Sequence, residues 1–228
     1  MHRQSGLPRD QLSRQRRPPR NMMKLYFSPG ACSLSPHIAM LEAGLAFTTE
    51  RVDLRTKLTA SGIDYAAINP KGCVPALELD DGSVLTEGPA IVQYIADQAP
   101  GKQLAPAAGT VEHYKTIEWL NFIATELHKN FSPLFNPAIG DDVKTAARTI
   151  LTKRFGYVAA QLEGREYLVG ERFSIADGYL FTVANWASVV RFDLTTWPAL
   201  QAFQQRIAAR PAVRQAMGDE GLLGRTTP

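Results

Sequence analysis

From Lys24 onward the apolar positions follow two different spacings, and the change between them falls close to residue 100. Lys24-Leu25-Tyr26-Phe27 is a short apolar run that predicts a buried strand, and Ser28-Pro29-Gly30 predicts the turn leaving it. Behind Ser35-Pro36, Ile38, Leu41 and Leu45 recur at helical spacing, with Gly44 placed to stop the helix. Residues 47–54 alternate as a second strand, and a strand, helix, strand order builds a parallel pair joined by a right-handed crossover. Residues 60–68 are weakly helical and close on Asn69-Pro70. Two apolar runs, 74–79 and 83–86, flank Asp81-Gly82, the pair that a tight type I′ hairpin turn requires. A helix over 89–99 follows, with Pro89 admissible in its first turn, where an amide has no intrahelical acceptor.

Residues 98–109 are rich in Pro, Ala and Gly and read as a linker, and everything after them looks helical. Ile117, Leu120, Ile123 and Leu127 mark a helix over 111–130 that Pro133 and Pro137 should end, and residues 141–163 form the next. Ser174-Ile175-Ala176-Asp177 is a capping box opening a nearly all-apolar helix to about residue 190, which must be buried on every side. Trp197-Pro198 and Arg210-Pro211 start two short final helices. The pattern therefore predicts an α/β domain over 23–101 and an all-α domain over 109–228, with residues 1–22 set apart.

Charge separates that first segment further. The 228 residues carry a net +3, but residues 1–22 hold six arginines and one aspartate, while the remainder holds 19 basic and 21 acidic side chains. The basic surplus belongs to an arm attached to a slightly acidic body, which removes the reason to expect a nucleic-acid partner. The arm reads as a disordered tail or as the product of a start assigned too early, with Met22 or Met23 the true start. Hydrophobic residues at 45% and charged residues at 21% describe an ordinary globular chain. No run approaches 18 apolar residues, so no membrane span is expected. Two cysteines without a Cys-x-x-Cys pair give neither a disulfide framework nor a zinc site, and suit a reduced, cytoplasmic protein.

Three places can carry chemistry. Cys32 lies between a strand and a helix start, where free amides and the helix dipole favour a thiolate; the alternative is a small residue packed under a helix. Ser35 stands where a resolving cysteine would complete a redox pair, so no disulfide can close within that motif. Val74-Pro75 is a candidate cis bond that would leave the Val74 amide and carbonyl free to pair with an extended peptide; the alternative is a trans proline opening an edge strand. Glu87-Gly88 combines an acid with a helix N-terminus, which suits the ammonium and carboxylate of an α-amino acid, although an acid against a helix dipole is also ordinary. A thiol, an extended peptide and an amino-acid terminus together describe glutathione.

At this point the chain resembles the bacterial beta-class glutathione S-transferases, over the whole of residues 23–223. The resemblance is carried by Lys24-Leu25-Tyr26 with Ser28-Pro29-Gly30-Ala31-Cys32-Ser33, by Asn69-Pro70-Lys71-Gly72 before Val74-Pro75-Ala76-Leu77, and by Thr86-Glu87-Gly88. In the second domain it is carried by residues 114–121 and 126–129 and by Phe173-Ser174-Ile175-Ala176-Asp177. It implies a thioredoxin-like domain followed by a helical one, a homodimer, glutathione as co-substrate with no resident cofactor or metal, and a small hydrophobic electrophile as second substrate. It also implies that Cys32 and His128 are catalytic. Lys57, Val74, Pro75, Glu87, Gly88, Asn121 and Lys129 would join Cys32 in holding glutathione. Read from the residues alone, His128-Lys129 is a solvated helix end. His37 matches a family histidine but fits first-turn structure equally well. One departure stands out: Cys73 replaces the usual Gln between Gly72 and Val74, either as a second redox group or as a small replacement. The expected activity is conjugation of glutathione thiolate to hydrophobic electrophiles. The alternatives are thiol transfer or peroxidase chemistry, with Cys32 as nucleophile in thiol transfer, or ligand binding without turnover.

Overall fold

The computed structural model describes residues 22–224 of the chain, so the arginine-rich arm, apart from Met22, lies outside the described residues. Strand β1 (Met23–Phe27) leads through a loop into helix α1 (Leu34–Ala43), which Gly44 ends with φ of 66°. The chain then returns as β2 (Phe47–Asp53), parallel to β1, with Leu25 opposite Thr49. After β3 (Leu58–Thr59) and a 3-10 turn (Tyr65–Ala67) come β4 (Ala76–Glu78), β5 (Val84–Thr86) and helix α2 (Gly88–Gln98). The sheet order is β3-β2-β1-β4-β5, with all neighbours except β1 and β2 antiparallel. This is the thioredoxin-like arrangement, and the Val74-Pro75 bond before β4 is cis.

Two local readings change. The weakly helical stretch over 60–68 yields only the 3-10 turn, capped by the Asp64 carboxylate accepting from the Ala66 amide. The hairpin bend takes three residues: the Leu79 amide donates to the Ser83 carbonyl at 2.8 Å and the Gly82 amide to the Leu79 carbonyl at 2.9 Å. Gly82 alone takes a positive φ, 83°, whereas a type I′ turn needs one at Asp81 as well. Asp81 instead accepts from the amide and hydroxyl of Ser83, which suits a bulged turn.

The second half is helical throughout. Helix α3 (Val111–Phe122) starts on the Thr110 hydroxyl, which accepts from the His113 amide. It runs into a π-helical turn (Ile123–His128) and continues as α4 (Lys129–Phe135). Pro133 sits inside the last turn of α4 rather than ending the helix at residue 130. Helices α5 (Asp141–Leu162), α6 (Ile175–Val189), α7 (Pro198–Ala208) and α8 (Pro211–Asp219) complete the chain. None among the described residues is long and apolar enough to cross a membrane.

Residues 175–184 of α6 are all buried, as an all-round apolar helix demands. A side chain at Gly178 would meet Phe173 Cζ at 3.3 Å and Ile38 Cγ2 at 3.7 Å, so its absence lets α6 come close to α1. Leu25, Ile38 and Ile91 of the sheet half join Leu120, Phe155 and Leu180 of the helical half in one continuous core. The capping box is present, and Asp177 does more than cap. It is fully buried and accepts from the Leu168 amide and from both the amide and hydroxyl of Ser174, each at 2.8 Å. Burial pushes its carboxyl up to about 6 despite those donors.

Asp177→Ala would leave two backbone amides unpaired in the core at a cost of roughly 3 kcal/mol. Chemical denaturation should show that loss with an unchanged slope, against about 1 kcal/mol for Ser174→Ala, which removes only the cap hydroxyl.

Candidate functional site

The loop from β1 to α1 carries Cys32, and its shape is set from both halves of the molecule. Ser33 Oγ accepts from the Ser28 amide at 3.1 Å and donates to the Ser28 carbonyl at 3.2 Å, closing the loop on itself. The Gly30 amide donates to Glu220 Oε2 at 2.8 Å, while the Gly30 carbonyl accepts from Trp186 Nε1 at 2.8 Å. Glu220 is buried and its other oxygen meets His37 Nδ1 at 3.0 Å. His37 is therefore an internal strut between α1 and the segment after α8, consistent with a structural part in the first turns of α1.

Cys32 Sγ donates to the Val74 carbonyl at 3.1 Å, which places the thiol beside the segment before β4. Burial pushes this thiol up to about 12, outweighing the Cys32 and Ser33 amides that favour the anion. The amides expected to favour a thiolate at Cys32 are in place, but burial of the sulfur works against the anion. Tyr26 cannot activate it either, because its hydroxyl donates to Glu78 Oε2 at 2.8 Å and its acidity is suppressed by burial.

Of the other predicted residues, Val74 lies against this thiol and Pro75 against the start of α2. Val74 is buried, and its amide has no acceptor among the described residues. The N-terminus of α2 comes up to Pro75, whose Cγ lies 4.0 Å from where a Gly88 side chain would begin. Glu87 precedes that helix with φ of 73° and ψ of 113°, a backbone state costing a residue with a side chain about 1–3 kcal/mol. Its exposed carboxylate is held by Lys71 Nζ at 2.6 Å, and Lys71 also donates to Thr86 Oγ1. Lys57, also at positive φ, donates to the Gly72 carbonyl at 2.9 Å.

From the helical half, His128 ends the π-helical turn, and its Nδ1 lies 2.7 Å from the Tyr179 hydroxyl of α6. Its ring stands edge-on to Trp186, centroids 4.7 Å apart. It is half-buried rather than a solvated helix end, and burial, with the Lys129 charge second, pushes it down to about 4. The carboxylate of Glu87 acts electrostatically on both His128 and Tyr179, and the Cys32 sulfur acts on Tyr179, so the two halves of the molecule bring these groups within electrostatic range of one another. Lys129 is exposed beside them. Asn121 is exposed on α3 and makes no side-chain hydrogen bond among the described residues. Tyr179 and Trp186 carry no sequence signal as site residues, because in an all-apolar helix an aromatic looks like core; Lys71 carries none either, because a lysine in a loop looks like solvated surface. No group of metal-ligating side chains occurs among the described residues.

A thiol loop, an open backbone segment and a helix N-terminus bearing an acid, under a wall of helical-domain aromatics, define a glutathione-transferase type of site. The comparisons give the same class. Residues 30–98 match the glutathione S-transferase N-terminal domain and residues 122–211 the C-terminal domain. Over 200 residues the chain is 51% identical to glutathione S-transferase GstA of Escherichia coli O157:H7, covering 88% of this chain and 100% of that one. Among solved structures, BphK, a bacterial transferase in a ternary complex, shares 61% identity at a TM-score of 0.86, covering 87% of this chain and 100% of that one. The beta-class enzyme of Sphingomonas chungbukensis shares 48% at 0.85, covering 88% and 100%. The chain belongs to the glutathione S-transferase family, and within it to the bacterial beta class.

In protein carrying Cys73→Ser, Cys32 is the sole thiol. Its iodoacetamide alkylation should be slow at neutral pH and keep rising close to tenfold per pH unit up to about pH 10. A plateau near pH 8.5 would mean that burial does not govern it. His128 titrates lower when folded than unfolded, so the unfolded chain binds the extra proton between about pH 4 and 6.5, and stability falls as pH drops through that window. Urea unfolding of His128→Gln should lose less stability than the parent over that interval.

Proposed function

We propose that residues 23–101 form the glutathione-binding domain and residues 109–228 the helical domain over which the second substrate lies. In this reading glutathione extends along Val74-Pro75, with its cysteinyl backbone paired to Val74 and its thiol beside Cys32. The γ-glutamyl end meets Glu87 and the first amides of α2 at Gly88. Lys57 approaches a ligand carboxylate, and Lys129 and Asn121 close the rim. The observation that supports the reading is the contact of the Cys32 sulfur with the Val74 carbonyl at 3.1 Å, with the α2 N-terminus up against Pro75 and the Val74 amide open. A sphingomonad glutathione S-transferase supports it: 46% identical with a TM-score of 0.85, covering 87% of this chain and 99% of that one, it was solved in complex with glutathione.

The reaction is attack of glutathione thiolate on a hydrophobic electrophile. Tyr179, whose phenol burial keeps protonated, would donate to Nδ1 of a neutral His128 and so leave the ring proton on Nε2, available to the developing thiolate. Cys32 contributes a protonated thiol nearby rather than the nucleophile, which weighs against thiol transfer by direct attack of Cys32. The electrophile would rest over the helical domain beside His128. A second copy of the chain and a cytoplasmic setting complete the reading, and the exposed Val111 and Tyr114 on α3 support a homodimer.

Purified protein should conjugate glutathione to a chloronitrobenzene, and Cys32→Ala should keep kcat/KM within about tenfold while Tyr179→Phe lowers it. Absence of any turnover in the parent would overturn the reading, and a collapse of conjugation in Cys32→Ala would make Cys32 the reactive group.

A further inference from the structure

We infer that Lys71 is a specificity-determining residue of this site: it receives the α-carboxylate of glutathione once the ligand's ammonium has taken its place on Glu87. The inference rests on the reading that the γ-glutamyl end meets Glu87 and the start of α2. That end carries two opposite charges on one carbon, and both need partners. Glu87 supplies the first, but α2 is poor in donors for the second. Pro89 has no amide hydrogen, and the amides of Ala90 and Ile91 both donate to the Glu87 carbonyl at 3.0 Å. The start of α2 therefore offers the Gly88 amide to a group with two accepting oxygens. Its first turn, Gly88-Pro89-Ala90-Ile91, brings no hydroxyl or cation of its own.

Lys71 is a cation already at that end. Its Nζ lies 2.6 Å from Glu87 Oε1 and donates to Thr86 Oγ1 at 2.9 Å, so it spans from the segment before Val74 to the two residues before α2. The backbone beneath it is fixed. The Lys71 amide donates to Asn69 Oδ1 at 3.2 Å and the Gly72 amide to the Asn69 carbonyl at 2.8 Å, while Asn69 itself is buried. The tip can turn, since the Lys71 and Glu87 side chains are 54% and 66% exposed. An ion pair that exposed is weak, so an arriving ammonium displaces Lys71 from Glu87 at little cost. The carboxylate on the same ligand carbon arrives beside that ammonium, within the sweep of a flexible four-carbon stem carrying three donors. The two ligand charges are thus recognised together: without the ammonium Lys71 stays on Glu87, and without the carboxylate nothing rewards its departure.

The test is calorimetric titration of the full chain with glutathione and with γ-aminobutyryl-cysteinyl-glycine, the analogue that keeps the ammonium and lacks the α-carboxylate. Lys71→Met should weaken glutathione about fivefold and tighten the analogue about twofold, because the analogue no longer competes with Lys71 for Glu87. Lys71→Arg keeps the charge and should hold glutathione within about twofold of the parent. A merely structural role would not give opposite signs, since a distorted site loses both ligands. Unchanged glutathione affinity in Lys71→Met, or both ligands weakened alike, would overturn the inference. Glu87→Gln separates this outcome from failure of the reading beneath it. If Glu87→Gln weakens both ligands while Lys71→Met leaves glutathione untouched, Lys71 alone loses its role. If the parent binds no glutathione, or Glu87→Gln binds it as the parent does, the reading of Glu87 falls together with the inference.

Discussion

The two hydrogen bonds on Gly30 are the constraint on which the rest of the site depends. A single residue in the loop before Cys32 is gripped at its amide by Glu220 and at its carbonyl by Trp186, so the thiol loop of the sheet half takes its shape from the helical half. Neither grip would hold without the shared core beneath it. Gly178 allows α6 to approach α1, and α6 in turn delivers both Trp186 and Tyr179. Asp177, two backbone amides in its grasp, fixes where α6 begins and therefore which of its aromatics face the thiol.

Electrostatically the site is a shielded one. Burial raises the Cys32 thiol and the Asp177 carboxyl and lowers His128, in each case favouring the uncharged form. The buried groups Cys32, His128 and Tyr179 are uncharged, while Lys57, Lys71, Glu87 and Lys129 are exposed. That division suits a ligand whose ends are ionic and whose middle carries a sulfur. It also sets two effects against each other at Cys32: the amides at a helix start favour an anion, and the loss of water opposes it more strongly.

Much of this was legible in the sequence because it depends on local chemistry. Gly44, Pro89, Ser174 with Asp177, and Trp197-Pro198 each announce a helix end by what their backbone or side chain can do, and each element lies where those residues put it. Cys32, Val74, Glu87 and Gly88 stand out as candidates for the same reason. The rest needed three dimensions. Tyr179 and Trp186 are aromatic residues in an apolar helix, and only the path of α6 past Gly30 and His128 distinguishes them from filling. The π-helical turn has no local signature in residues 123–128, yet it sets the position of His128. The hairpin bend shows the opposite limit: Asp81-Gly82 names a turn correctly but not its length, which the Asp81 contact with Ser83 decides.

In the proposed reading, with Glu87 receiving the ammonium of glutathione, the ion pair between Lys71 and Glu87 gives ligand entry a particular character. A ligand ammonium that reaches Glu87 finds another ammonium already seated there, 2.6 Å from the carboxylate. Docking is then an exchange of counter-ions rather than the creation of one, and the count of salt contacts at Glu87 is the same before and after. The net gain lies with the displaced Lys71, which becomes free to swing toward an anionic part of the newcomer. Discrimination at this end of the groove therefore belongs to molecules carrying both signs of charge at the right separation, since a bare cation would only replace what it expels.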